Sequence, residues 1–402
     1  MTSSPTGLRP RQRPSTPARR PFDLPPRLQS YLEQARAALR EEFRGITTDG
    51  TVVPGLFPLQ RTGISTQPIK EAAEAFLASL APEQRASVLF DVESEAWRAW
   101  SNIHPYILRH GLCLESLSPP QRELALALLR TSLSLSGFEL ARNVMKLNEH
   151  IGEITNRWDE YGEWLYWLSL MGTPSLEEPW GWQIDGHHLI INCFILKDQL
   201  VLTPNFMGSE PVVAETGKYA GTRVFQAEEA KGLALMRALT PAQREKATIG
   251  METPFDVFAT AFRDNLVLRY EGIRYDALTT EQRALLLDLI ATYVGRLRPG
   301  HAEVRLEEVK RHLAETHFAW IGGYDDVSPF YYRVHSPVIL IEFDHQPGIA
   351  LDNDQPSRNH IHTLVRTPNG NDYGKDLLRQ HYEQFHRPPP APAGQPPSRG
   401  GG

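Results

Sequence analysis

Apolar and polar positions along this chain fall into two series with the same order. In the first, a 3.6-residue period predicts helices near residues 70–80, 82–110, 119–135 and 139–170. Residues 184–194 then alternate or stay apolar as a strand does, and Leu196-Lys-Asp-Gln199 turns the chain into a second strand over 200–203. The second series predicts helices near 227–238, 241–270, 280–296 and 304–318, then strands near 330–344 and 359–367. A polar stretch with two prolines, 346–359, widens the last turn. The expected fold class is α+β. It consists of two similar helix-helix-helix-β-hairpin halves, 28–226 and 227–386, that form one integrated unit.

A short phrase marks helix starts in both series: Leu80-Ala-Pro-Glu-Gln84-Arg85, Leu117-Ser-Pro-Pro-Gln121-Arg122, Leu239-Thr-Pro-Ala-Gln243-Arg244 and Leu278-Thr-Thr-Glu-Gln282-Arg283. The hydroxyls of Ser118, Thr240 and Thr279 can accept from the amide three residues on, while the glutamine reaches back. Ala81 lacks the hydroxyl and should cap less well. Farther on, residues 180–192 resemble 330–342 in pattern, and Leu202-Thr-Pro-Asn205 matches Arg366-Thr-Pro-Asn369. Capping physics explains the phrase alone but says nothing about strands. The shared order therefore implies an internal duplication.

Composition adds a boundary at each end. Of the 32 prolines among 402 residues, thirteen lie in 1–27 and 387–402, which are expected to be a disordered Pro/Arg-rich head and a disordered Pro/Gly-rich tail. The head carries +5 and the tail +2, so a net charge of −6 leaves −13 on the 359 residues between. An acidic body disfavours binding along a nucleic-acid backbone. The basic head either stays solvated or meets an acidic partner. No apolar run is long enough to span a membrane, and no apolar segment flanks Arg19-Arg20 as a secretory signal would require. Cys113 and Cys193 show no pairing pattern, in keeping with a reducing compartment. The expected setting is cytoplasmic, with a small-molecule substrate as partner, no nucleic acid and no membrane.

Phosphate-binding glycine loops, GxSxG, HExxH and CxxC are all absent. His312 and His317 sit five apart, about 140° apart on a helix, and cannot share an ion there. His360-Ile-His362 is different, because residues two apart on a strand project from one face and can converge on a metal. Gly186-His187-His188 offers a further imidazole, and Asp185-Gly186 reads as a turn or bulge able to re-aim it. Glu210 and Asp372 follow the two hairpins as candidate ligands or bases, although Asp372 could equally cap the helix that follows. Arg366, four residues past His362, could hold a substrate carboxylate. Arg333 and His335 are read as sharing a strand with Glu342 and Asp344 but facing the other way.

Several of these phrases belong together. Pro179-Trp-Gly-Trp, Gly186-His-His-Leu, Pro204-Asn-Phe-Met-Gly-Ser-Glu-Pro211, His360-Ile-His with Arg366, and Asn371-Asp-Tyr-Gly-Lys-Asp-Leu-Leu378 resemble an uncharacterised bacterial family, domain of unknown function 3500. The resemblance spans most of 55–386 and implies no activity, cofactor or catalytic residue. The functional expectation rests on the residues themselves. It is a metal-dependent enzyme in which a divalent transition metal (zinc, iron or copper) activates water to hydrolyse a small, carboxylate-bearing substrate. His187, His188, His360 and His362 are the metal candidates; Glu210, Arg366 and Asp372 are the catalytic ones. A non-haem iron or copper oxygenase, or a non-catalytic binding module with structural histidines, are the alternatives.

Overall fold

The computed structural model describes residues 7–386. Its frame is a thirteen-stranded, mostly antiparallel sheet. In the first half Tyr166–Met171, Trp180–Gly186, Leu189–Leu196 and Asn205–Ser209 lie side by side in chain order. In the second half His317–Gly322, Phe330–His335, Leu340–Gln346 and Ser357–Arg366 do the same. Asn205–Ser209 then pairs with Ser357–Arg366, so the two series meet at the centre. Short strands repeat as well. Leu89–Phe90 and Thr248–Gly250 run parallel to Tyr166–Met171 and His317–Gly322, while Leu112–Cys113 and Ile273–Arg274 run antiparallel to the same two strands. The helices Gln67–Ala78, Pro82–Val88, Pro119–Ser132 and Leu135–Thr155 are matched in order by Gln226–Ala238, Pro241–Ala247, Thr280–Val294 and His301–Arg311. Among the described residues no helix is long and apolar enough to cross a membrane.

The recurrent phrase has a job in each copy. Ser118, Thr240 and Thr279 cap as expected. At Ala81 only the returning half survives, with Gln84 accepting from the Ala81 amide at 3.0 Å. The glutamines also pair between helices: Gln121 donates to Gln84 at 3.0 Å, and Gln243 and Gln282 exchange bonds of 2.9 and 2.8 Å. Arg122, Arg244 and Arg283 each return to the two carbonyls seven and eight residues back.

The sheet's two faces differ in chemistry. One packs apolar side chains against helices; Trp182 reaches Ser132 in Pro119–Ser132, and Tyr332 reaches the Glu228 carbonyl in Gln226–Ala238. The other face carries Gln183, Asp185, Arg333, Glu342, Asp344 and Arg366, all at most 1% exposed. Two irregular segments cover it, and here the helices expected over 82–110 and 241–270 do not form beyond Val88 and Ala247. Apart from short turns, several of their backbone groups bond to sheet side chains. Ser101 N donates to Asp185, and Trp97 O accepts from Gln183. Phe258 N and Ala259 N donate to Glu342 at 2.8 Å, while Ala259 O and Thr260 O accept from Arg366 at 3.0 Å. Buried backbone must be satisfied somewhere, and a polar sheet face supplies the partners.

Other boundaries also move. The helices expected over 139–170 and 304–318 stop at Thr155 and Arg311 and give way to the strands Tyr166–Met171 and His317–Gly322. The strand expected over 330–344 is two strands, which puts Arg333 directly opposite Glu342 on one face rather than on opposite faces. The head is not free after Gly7. Pro10 bridges to Leu351, Arg11 N donates to Ala350 O at 2.8 Å, and Arg13 pairs with Glu160 at 2.5 Å. The acidic partner of this basic segment is the body of the same chain. Residues 1–6 and the tail from 387 to 402 lie outside the described residues.

Arg366 anchors the covering segments electrostatically. Its guanidinium meets Asp264 at 2.7 Å and Asp372 at 3.2 Å, and Asp264 also takes Arg98 at 2.9 Å and the Tyr373 hydroxyl at 2.9 Å. Burial raises Asp372 to about 6 despite Arg366. For Asp264 burial is outweighed by Arg366 and Arg98, which hold its carboxyl below the usual aspartate value. Its stabilising contribution is thus complete above pH ~4 and lost as the pH falls through the depressed value. Asp264→Asn leaves two arginines short of a counter-charge and is expected to cost about 3–5 kcal/mol in chemical denaturation. A loss below 1 kcal/mol would show that the network carries no such strain.

Candidate metal centre

His360 and His362 leave one face of Ser357–Arg366, as their spacing predicts. The turn joining Trp180–Gly186 to Leu189–Leu196 consists of His187 and His188, since Gly186 pairs with Leu189. No bulge forms at Asp185-Gly186; the turn itself re-aims the histidine. His188 adopts a left-handed φ of 61° there. Its amide donates to Asn102 O at 3.1 Å and its carbonyl accepts from Gly208 N at 2.8 Å. Gly208 lies opposite His362 in the central strand pair. A Cβ at Gly208 would stand 2.7 Å from Ile361 O, 2.9 Å from His362 Cδ2 and 3.2 Å from His188 Cδ2. Glycine at this position lets imidazoles from the two halves meet.

They meet nitrogen to nitrogen. The Nε2 atoms of His188, His360 and His362 are 3.2, 3.1 and 3.1 Å apart, and all three residues are buried. Burial pushes His188 and His360 well below the usual imidazole value, and neighbouring histidines add to the effect. The opposite ring nitrogens set the tautomers. His360 Nδ1 is 2.8 Å from Pro347 O, which can only accept, and His362 Nδ1 is 2.9 Å from Asp256 Oδ1. Both Nδ1 atoms are thereby placed to donate, which leaves the two Nε2 atoms, 3.1 Å apart, able to turn their lone pairs to a common point. A cation at that point would be coordinated by both. With metal–nitrogen bonds of about 2.0–2.1 Å, ligand nitrogens stand about 2.9 Å apart at a right angle and about 3.4 Å apart at the tetrahedral angle. The observed spacing lies between the two. The donor set, all neutral imidazole, suits zinc, iron or copper.

The other expected residues divide. His187 points away from the three nitrogens, with Nδ1 2.7 Å from Asn148 Oδ1 and its ring stacked on His188 at 3.9 Å. Glu210 comes close without joining them, its Oε2 being 3.8 Å from His360 Nδ1. Both its oxygens are taken by the amides of Ile349, Ala350 and Leu351 at 2.9–3.1 Å. Burial raises its pKa, and those three amides oppose the rise. Glu210 thereby shapes the loop whose Pro347 carbonyl orients His360. Arg366 and Asp372 belong to the buried network described above, four residues or more along from His362. With Arg366 bound to Asp264, Asp372 and two carbonyls, a carboxylate-bearing substrate loses its expected anchor.

Two residues close to the cluster have no counterpart among the expected ones. Asp344 lies directly opposite His362, is fully buried, and leaves Oδ1 without a hydrogen-bond partner. Burial, then Asp256 and Glu342, push its carboxyl well above the usual value. Asp256 comes from the irregular cover, and oxygens of both acids and a nitrogen of His362 lie within 4.8 Å of one another. Even spacing from Glu342 assigned Asp344 a face, but nothing in the sequence assigned that face to the histidines. Asp256 had no sequence signal at all.

A family described as "Protein of unknown function (DUF3500)" matches residues 62–375. The chain belongs to this family. All three converging histidines, Asp256 and Asp344 fall inside the DUF3500 match, as do both halves of the sheet, whereas the head segment falls outside it. Comparison with curated proteins and with solved structures returned no match.

If the cluster holds a cation, the Asp256 carboxylate orients one of its ligands. Asp256→Ala is expected to lower divalent-ion affinity about 10–100-fold in chelator competition. Unchanged affinity would remove Asp256 from that role.

Proposed function

We propose that this DUF3500 protein is a metal-dependent enzyme that hydrolyses a small molecule with a water activated at His188, His360 and His362. The observation that carries this reading is the convergence of three buried Nε2 atoms at 3.1–3.2 Å, two of them with their tautomers set by Pro347 and Asp256. A divalent ion at such a site lowers the pKa of a coordinated water and leaves positions open for substrate. The protein's own part is to hold the three lone pairs on one point and to exclude competing ligands by burial. Asp344, opposite His362 and with an unengaged oxygen, is the carboxyl we assign to take a proton from that water in its ionised form, burial and the neighbouring acids having raised its proton affinity. Three nitrogens spaced between the right-angle and tetrahedral values would also suit an octahedral iron with three free positions. That observation keeps oxygen chemistry as the second reading.

We also infer that the two halves descend from a duplicated segment, with the site assembled where the copies join. What supports it is the repeated order of helices and short strands, the mirrored strand order about the central pair, and the glutamine contact between capping phrases that recurs in each half.

Elemental analysis of the purified protein is expected to find close to one transition metal per chain at this cluster. His360→Ala and His362→Ala should each lose it, while Asp344→Asn should keep it and lose turnover. Zinc would support hydrolysis and redox-active iron or copper would support oxygenation. Folded protein that takes up no metal at the cluster, even on supplementation, would leave the histidines structural and sink the enzyme reading.

A further inference from the structure

The C-terminal helix Lys375–Phe385 ends beside the segment that leads into Trp180–Gly186, and three metal-ligating side chains meet there. His381 Nε2 is 3.1 Å from His386 Nε2 and 3.3 Å from Glu178 Oε2, and His386 Nε2 is 3.8 Å from Glu178 Oε2. These residues are separate from the central cluster: Glu178 precedes Trp180–Gly186, whereas His187 and His188 follow it. We propose a second, labile zinc-binding site formed by Glu178, His381 and His386.

The geometry fits a tetrahedral ion. Zinc–ligand bonds of about 2.0–2.2 Å at the tetrahedral angle separate ligand atoms by about 3.3–3.6 Å, and the three observed separations of 3.1, 3.3 and 3.8 Å straddle that range. Hydrogen bonding alone satisfies the group less well. His381 Nε2 has a single hydrogen at most to share between His386 and Glu178, and His381 Nδ1 is buried without a partner. Both contacts made by His381 Nε2 become compatible when a cation occupies their common point.

The same observations make the site weak compared with the central one. No acceptor orients His381 from behind, whereas Pro347 and Asp256 orient the central ligands. His386 and Glu178 are about half exposed or more, at 49% and 61% of their side chains, so bound water and solutes compete. Lys197, seated over the Phe385 ring at 4.3 Å, adds a positive charge nearby. Among the described residues no fourth ligand joins these three. Three protein ligands and an open position describe an exchangeable ion that clasps the C-terminal helix to the 173–179 segment when zinc is available.

The test uses the full-length chain stripped of metal and titrated with zinc against a chromophoric chelator. Wild type is expected to bind one more zinc than His386→Ala or Glu178→Gln. Both substitutions are at exposed side chains and are expected to leave the fold intact. Added zinc should raise the melting temperature of wild type by more than that of either variant. Identical stoichiometry and identical zinc-induced shifts in all three proteins would overturn the proposal. The outcome is independent of the central site: if His188, His360 and His362 bind nothing, wild type still takes up one zinc that the two variants do not.

Discussion

One antiparallel strand pair, Asn205–Ser209 against Ser357–Arg366, decides most of what this molecule can do. Each half ends in a sheet whose last strand would otherwise present unpaired backbone, and joining the two edges removes both. The same ladder sets the register that puts Gly208 opposite His362 and next to the His188 carbonyl. Residues 172 and 174 apart in sequence are thereby brought within ligand distance. A slip of one residue would send His360 and His362 to the helical face, because side chains alternate along a strand. Gly208 matters for the same reason, since any side chain there would hold the rings apart.

The polar face of the sheet explains both the unusual cover and the fate of several charged residues. A buried row of Gln183, Asp185, Glu342 and Arg366 needs partners, and the irregular segments after Val88 and Ala247 need donors and acceptors for their backbone. Each satisfies the other. Arg366 looks like a substrate anchor when only its spacing from His362 is considered, yet its hydrogen bonds are spent on Asp264, Asp372, Ala259 and Thr260. Glu210 is likewise committed, to three consecutive amides of the loop behind His360. Charged residues that mimic catalytic groups in sequence here hold the walls of the site in place.

The helix starts were the most legible part of the chain, because a capping box and an N-terminal proline act within one turn and need no tertiary partner. The strand spacing of His360 and His362 was legible for a similar reason. The long helices read over 82–110 and 241–270 failed because periodicity registers apolar residues but not where a backbone finds its hydrogen bonds. Trp97, Trp100 and Ile107 are buried at spacings that imitate a helical pattern, although the segment carrying them is irregular. The proline- and arginine-rich head read as solvated because its partners, Glu160 and the backbone of 350–353, lie far along the chain.

What could be read from the residues alone is local and periodic: where helices begin, that His360 and His362 share a strand face, the matching order of helices in the two series, and the family. Tertiary structure alone decided which of two adjacent histidines turns inward, which carboxylates stand beside the cluster, and which charged groups are already engaged. The physical reason is that these depend on register across the central strand pair and on hydrogen bonds between segments distant in sequence. Neither leaves a trace in spacing or composition.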